Sequence, residues 1–314
     1  MSLRELQRTV VLSDGFDTLD AYADVCSEFL HLLSNVQPTR IVSPTDHNYI
    51  FFQFGEEFGH RITRPLNTDL YIEDAKAFDA AFKKFRSLLS ALRRKEQRAF
   101  GVKRHQRFAQ RNGINRVIYT IQQSIGSVGD SFENANQSRK RVGMLFEQLV
   151  KRVLIGMGLD CESRTVRIPI AEHPGRSMSY ELDLVISRGK AIVASEDSII
   201  RQGEIVGSVK TTSKDRIDKI FLDKFMMGKL LGRAVPVIAV FLHDVQRANR
   251  AGSRFAINST FKSNHFVGYT YALNRLDGVY YVDRRPNMTA DQSLAREISG
   301  FGRLLTHDMW RLVR

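Results

Sequence analysis

The sequence predicts an α/β protein in which a mixed sheet is flanked by helices and preceded by a mostly helical N-terminal domain. Three observations carry this expectation: apolar residues recur at helical spacing as far as about residue 130, short β-rich runs follow, and the later elements run helix, strand, strand, strand, helix, strand. That last order sets an αβ crossover beside a meander, which makes a sheet with both parallel and antiparallel neighbours. At 314 residues and 43% hydrophobic, the chain is long enough for one large domain or two smaller ones with real cores.

In the first stretch, Leu19, Tyr22, Val25, Cys26, Phe29, Leu30 and Leu33 form one amphipathic face, and Phe78, Phe82, Phe85, Leu88, Leu89 and Leu92 form another. Between them Pro38, Pro44, Asn48, Gly55, Gly59 and Pro65 break any long helix, while Tyr49 to Phe52 suits a short strand. The pattern changes near Asp130. Ser138 is placed to cap a helix through Val142, Leu145, Phe146, Leu149, Val153 and Leu154, with Gly158 as its stop. Alternating or β-rich runs at Thr165–Ile170, Tyr180–Ser187 and Glu204–Thr211 predict three strands. An amphipathic helix from Lys214 to Leu231 and an apolar strand from Pro236 to Leu242 complete the unit. The tail Leu304 to Val313, with Trp310, has the pattern of a docking helix.

No apolar run approaches the roughly 20 residues that a membrane helix needs, and the N-terminus carries no pattern of a cleavable signal, so a soluble cytoplasmic protein without a membrane partner is expected. Cys26 and Cys161 stand in unrelated contexts, with no spacing for zinc or a secreted disulfide framework. The net charge of +13 points to an acidic partner. Its distribution is uneven: residues 1–82 hold 6 Lys/Arg against 13 Asp/Glu, residues 83–116 hold 12 against 1, and residues 136–314 hold 29 against 18. The basic stretch Lys83–Arg116, with Phe100 and Phe108 interleaved, suits either a nucleic-acid backbone or a solvated helix face. His60, His105, His173, His243 and His307 show no metal-binding spacing, and no phosphate-binding glycine loop occurs.

One constellation carries chemistry. Asp183 lies among apolar neighbours in a predicted strand, where an unpaired carboxylate is costly unless it meets a cation. Farther on, Ser208-Val-Lys210 ends a second strand whose two-residue period puts Glu204, Val206, Ser208 and Lys210 on one face. Phosphodiester hydrolysis uses a divalent metal together with a cation that stabilises charge building on phosphorus, and Asp183 and Lys210 suit those two roles. Glu204 shares the face but stands roughly 20 Å upstream along an extended strand, which favours a structural role.

Asp183 followed by Ser208-Val-Lys210-Thr-Thr-Ser-Lys-Asp-Arg216 resembles the active-site region of the PD-(D/E)xK type II restriction endonucleases. Within them it is most similar to the EcoRII-like and CCGG-recognising group that includes NgoMIV and BsaWI, in which Ser or Cys replaces the usual second acid. The resemblance covers about residues 138–245. It implies a restriction-endonuclease-like fold and magnesium-dependent cleavage of double-stranded DNA. Catalysis falls to Asp183, Ser208 and Lys210, with Asp223 on the next helix as compensating acid and Asp218 as the weaker candidate. Glu147 in Gly143-Met-Leu-Phe-Glu147-Gln-Leu-Val matches a further acid of the preceding helix, so that Asp183, Asp223 and Glu147 form the implied Mg2+ ligand set.

By the same resemblance Lys214, Asp215 and Arg216 read the CC/GG part of the target, chemistry that suits Arg and Lys toward guanine and Asp toward cytosine. A palindrome with a CCGG core, with WCCGGW as a form of it, is the expected site, and CCWGG is the alternative. Two-fold targets favour at least a homodimer. Residues 1–135 are then a DNA-clasping or dimerising domain and residues 136–314 the catalytic domain. A structure-specific repair or junction nuclease and a non-catalytic basic DNA-binding protein are the competing expectations.

Overall fold

The structure, a computed structural model, describes residues 2–11, 15–93, 103–131, 135–214, 216–250 and 252–313. It divides into two compact units: Met1–Ala91, Glu96–Arg152 and Val245–Thr260 form the first, and Leu92–Lys95, Val153–Asp244 and Phe261–Arg314 the second. Among the described residues no helix is long and apolar enough to cross a membrane.

The first unit is built on helices α1 (Leu3–Val11) and α2 (Leu19–Val36), a small antiparallel sheet of β1 (Thr39–Val42), β2 (Tyr49–Gln53) and β3 (Leu66–Asn67), and helices α3 (Ala75–Arg93), α4 (Lys103–Gln110), α5 (Gly113–Gly129) and α6 (Ala135–Gly156). Thr18 caps α2, its Oγ accepting from the Ala21 amide at 3.2 Å, and Gln37 closes it in the left-handed conformation (φ 47°) with its amide donating to the Leu33 carbonyl. Helix α5 is buried along its whole length, so its polar side chains need partners. Gln122 donates to the Val142 carbonyl at 2.9 Å, and Gln123 to the Pro65 carbonyl at 3.1 Å. Gly126 leaves room for the Arg64 guanidinium, which a Cβ would displace and which forms a bidentate pair with Asp130 at 2.7 and 3.0 Å.

The second unit is organised by a six-stranded sheet. It begins with β4 (Asp160–Pro169), β5 (Ser177–Ser187), β6 (Ile205–Thr212), helix α7 (Ile217–Leu231) and β7 (Val237–His243), which are the predicted strands and crossover helix with ends shifted by a few residues. Gly158, with φ +85°, makes the predicted stop just beyond α6. After β7 the chain forms a two-stranded antiparallel ribbon, β8 (Val245–Arg250) and β9 (Ser253–Ser259), which belongs to the first unit. It returns through α8 (Ser263–Ala272), β10 (Gly278–Tyr281), two short helices (Pro286–Ala290 and Gln292–Glu297) and β11 (Ile298–Gly300) to a C-terminal helical segment. Trp310 fixes that segment: its indole donates to the Leu305 carbonyl at 2.9 Å, and the Arg188 guanidinium lies 5.3 Å from its ring centre.

The sheet order is β11-β10-β7-β6-β5-β4. Strands β4, β5 and β6 form an antiparallel meander, while β6, β7, β10 and β11 are parallel, so the sheet is mixed as its element order requires. One apolar core covers it, gathering Tyr180, Leu182, Val185 and Val206 with Ile220, Phe221 and Met227 of α7 and Phe266 of α8. Strand β7 is buried at every residue, as expected for an interior parallel strand.

Candidate active site

The carboxylate of Asp183, on β5, receives three donors from the neighbouring strand β6. Oδ2 accepts from the Ser208 hydroxyl at 3.1 Å, the Val209 amide at 2.8 Å and the Lys210 ammonium at 2.5 Å. Both charged side chains are largely covered, Lys210 at 28% and Asp183 at 17% exposure, which strengthens their attraction relative to a surface pair. Oδ1 takes part in none of these bonds. Asp183, Ser208 and Lys210, picked out by strand spacing and resemblance, therefore meet around one oxygen.

A defect in the sheet accompanies Asp183. Glu162 of β4 faces Val185 and Arg164 faces Leu182, so Ser163 alone stands opposite both Asp183 and Leu184. The extra residue is a β-bulge, which resets alternation: Leu182 and Val185, three positions apart, both join the core cluster. The Ser163 hydroxyl ties the bulge by donating to the Asp183 carbonyl at 2.8 Å. Next to it Gly207 pairs with Leu184, and a Cβ at Gly207 would press on the Leu184 side chain at 3.2 Å, so the close approach of β5 and β6 beside Asp183 uses a residue without one.

The remaining candidates are placed as follows. Asp223 lies on α7, 31% exposed, with its carboxylate 2.6 Å from the Lys219 ammonium one helical turn back. The Tyr180 hydroxyl is pushed above its ordinary pKa mainly by burial and secondarily by the charge of Asp223. Asp218 is exposed in the first turn of α7. Glu147 is half-buried on α6, within the first unit. Lys214 and Arg216 are both exposed where β6 passes into α7, and Asp215 between them lies outside the described residues. In the basic stretch, α4 is described, with Arg104 donating to the Ser87 hydroxyl at 3.2 Å, while residues 94–102 are not.

Glu204 is fully buried and accepts from three backbone amides: Val193 at 2.5 Å and Ala194 at 3.4 Å on Oε1, and Arg201 at 2.7 Å on Oε2. It organises the loop leading into β6, its oxygens taken up by those amides, in keeping with a structural role.

For magnesium, the donor set fits in part. Asp183 Oδ1 and the Ser208 hydroxyl are hard oxygen donors of the kind that ion prefers. Among the described residues, however, no three His, Cys, Asp or Glu side chains gather closely enough to hold a metal.

A second polar group stands at the carboxyl edge of the parallel strands, where His243-Asp244 just after the strand is noticeable in sequence but its meeting with Asp283 is not. Thr212 of β6 pairs with His243 of β7, and the Asp283 amide just past β10 donates to the Leu242 carbonyl at 2.8 Å, so these strand ends lie side by side. His243, Asp244 and Asp283 are buried there, at 7%, 0% and 1% exposure. The Tyr281 hydroxyl beside them is raised well above its usual range by burial. Only assembly of three strand ends distant in sequence brings these residues together.

The structure is similar to the crystal structure of the type IIP restriction endonuclease Kpn2I, with a TM-score of 0.69 over 99% of this chain and 97% of that one, at 20% identity. The fold is that of a restriction endonuclease. A restriction endonuclease PspGI–substrate DNA complex matches more distantly, with a TM-score of 0.37 and 12% identity over 63% of this chain and 80% of that one. The chain matches no family model and no curated protein. Within the restriction-endonuclease fold, the mixed sheet with its helical crossover presents Asp183 and Lys210 from two adjacent, hydrogen-bonded strands.

Proposed function

We propose that the protein is a type II restriction endonuclease that hydrolyses double-stranded DNA at a palindromic site in the presence of Mg2+. The observation that carries this is the three-donor cluster on Asp183 Oδ2, set at a β-bulge in a restriction-endonuclease fold. A partly buried carboxylate with an ammonium beside it is the minimum that metal-assisted phosphodiester cleavage asks of a protein. Lys210 stabilises the negative charge that grows on the phosphate oxygens, and the Val209 amide and Ser208 hydroxyl hold the Asp183 carboxylate in place for the metal. Asp183 would hold the ion, which supplies Lewis-acid polarisation of the phosphate when bound, with Asp223 and Glu147 as the proposed further ligands, although the described side chains form no three-ligand group.

Lys214, Asp215 and Arg216 would read bases at the β6–α7 turn, toward a CCGG core, with WCCGGW and CCWGG as the forms to distinguish. A homodimer acting on both strands, with residues 1–135 clasping DNA or joining subunits and residues 136–314 cutting it, suits such a target. The exposure of Lys214 and Arg216 beside the Lys210 strand supports base reading close to the cut. The test is digestion of a sequenced plasmid with magnesium and sequencing of the fragment ends. Discrete ends sharing a CCGG or CCWGG site are expected, whereas cuts that follow DNA structure rather than sequence would move the assignment to a repair or junction nuclease. DNA bound but left intact would make the protein a non-catalytic binder.

A further inference from the structure

We propose that the β8–β9 ribbon is a DNA-gripping arm in which Arg247, Arg250 and Arg254 bind backbone phosphates. The proposal rests on the nuclease reading and names a contact element that the reading lacks. From Val245 to Leu276 the chain runs without a single Asp or Glu while carrying Arg247, Arg250, Arg254, Lys262 and Arg275. Three of those five cations fall within the ribbon, and all three are exposed.

Several arginines of the protein are neutralised in pairs. Arg40, Arg86, Arg152, Arg164 and Arg167 each lie against a carboxylate. Among the described residues no carboxylate pairs with Arg247, Arg250 or Arg254, and the Arg254 guanidinium lies 5.2 Å from the centre of the Phe255 ring. Three like charges held on one short ribbon repel one another, and a polyanion relieves that repulsion while releasing its own counterions.

The root of the ribbon is firm. Thr45 bridges to Ile257 by two hydrogen bonds, accepting from the Ile257 amide at 2.9 Å and donating to its carbonyl at 3.2 Å. Val245 and Ile257 pack with Tyr49 and Phe51 in a small core, with Phe255 stacked edge-on to Phe51 at 5.6 Å. Beyond that root the β8 and β9 strands run together to a turn at Gly252 (φ +69°). An antiparallel ribbon is about two strand spacings wide and is one of the two elements that a DNA major groove of about 12 Å admits. Duplex DNA is therefore the occupant that fits both the charge and the width.

The test uses the full-length protein and a duplex that carries its cleavage site, with chelator present so that binding alone is read. Affinity is followed by fluorescence anisotropy across a salt series for the wild type and for the triple variant Arg247→Gln, Arg250→Gln, Arg254→Gln. Each lost phosphate contact lowers the slope of log affinity against log salt by about 0.9, so a reduction of up to about 2.7 is expected for three. A second variant with Lys at all three positions keeps the charge, so it should restore most of the slope and separates lost contacts from a damaged fold. A wild type that binds DNA with a slope shared by the Gln variant overturns the arm but leaves the nuclease reading standing. A wild type that binds no DNA overturns both.

Discussion

Replacing Lys210 with Ala removes the ammonium that lies 2.5 Å from Asp183 Oδ2 and leaves the carboxylate with the Ser208 hydroxyl and the Val209 amide. At an effective dielectric of about 20, two unit charges 4 Å apart attract by about 4 kcal/mol. Desolvation of the partners cancels much of that, and the exposure of 28% and 17% keeps the pair from being fully buried. Because two other donors remain on Asp183, the net loss of stability should be about 1–2 kcal/mol, near the value of one charged hydrogen bond. In a chain of this size that lowers the melting temperature by a few degrees, at about 2–4 °C per kcal/mol. The catalytic loss is far larger. Removing a preorganised group that meets transition-state charge costs about 10²–10³ in rate. The assay is a single-turnover time course on a labelled duplex with magnesium, beside an anisotropy titration in chelator. Cleavage should fall by at least about 10²-fold while DNA affinity changes by less than about threefold, as expected for a loss confined to the transition state. A folded Lys210→Ala protein that cuts at close to the wild-type rate would refute the assignment of Lys210.

Glu204→Gln leaves at least one of the three amides that now meet the buried carboxylate facing an NH2 group, so a loss of about 1–3 kcal/mol in denaturant stability is expected, with the cleavage rate of the folded fraction unchanged. Between the two acids of α7, Asp223→Asn should raise the magnesium concentration needed for half-maximal cleavage and Asp218→Asn should not; equal effects would remove Asp223 from the proposed ligand set. Arg216→Ala should relax discrimination at one guanine by about 1–3 kcal/mol, measured as relative cleavage of singly substituted sites, with little change in melting temperature because the side chain is exposed.

Much of the six-stranded sheet was legible from local patterns. Strands β4 to β7 and helix α7 follow from alternation and amphipathic spacing, and the stop after α6 follows from a glycine that takes a positive φ. The meeting of Asp183 with Ser208 and Lys210 was legible for a related reason, since both motifs lie on strands that the meander makes neighbours. The bulge at Asp183 was not. It is defined by the count of residues on two paired strands, and the sequence of β5 alone does not contain the partner's count.

Strands β10 and β11 are four and three residues long, and although Val279, Tyr280 and Tyr281 favour a strand, so short a run does not show that it docks on β7. The buried group His243, Asp244 and Asp283 follows from that docking and was hidden with it. The ribbon β8–β9 was missed because Arg247, Asn249 and Arg250 outweigh the weak alternation of Val245, Phe255 and Ile257, whose burial comes from packing on Tyr49 and Phe51 far earlier in the chain.

The most direct test of the central claim compares wild type and Asp183→Asn, prepared in parallel, for cleavage of one plasmid with magnesium and with magnesium plus excess chelator. The account predicts discrete fragments from the wild type that vanish with chelator, and intact plasmid from an Asp183→Asn protein that still folds and binds DNA. Cleavage by folded Asp183→Asn at the wild-type rate, or wild-type cleavage that survives the chelator, would contradict it.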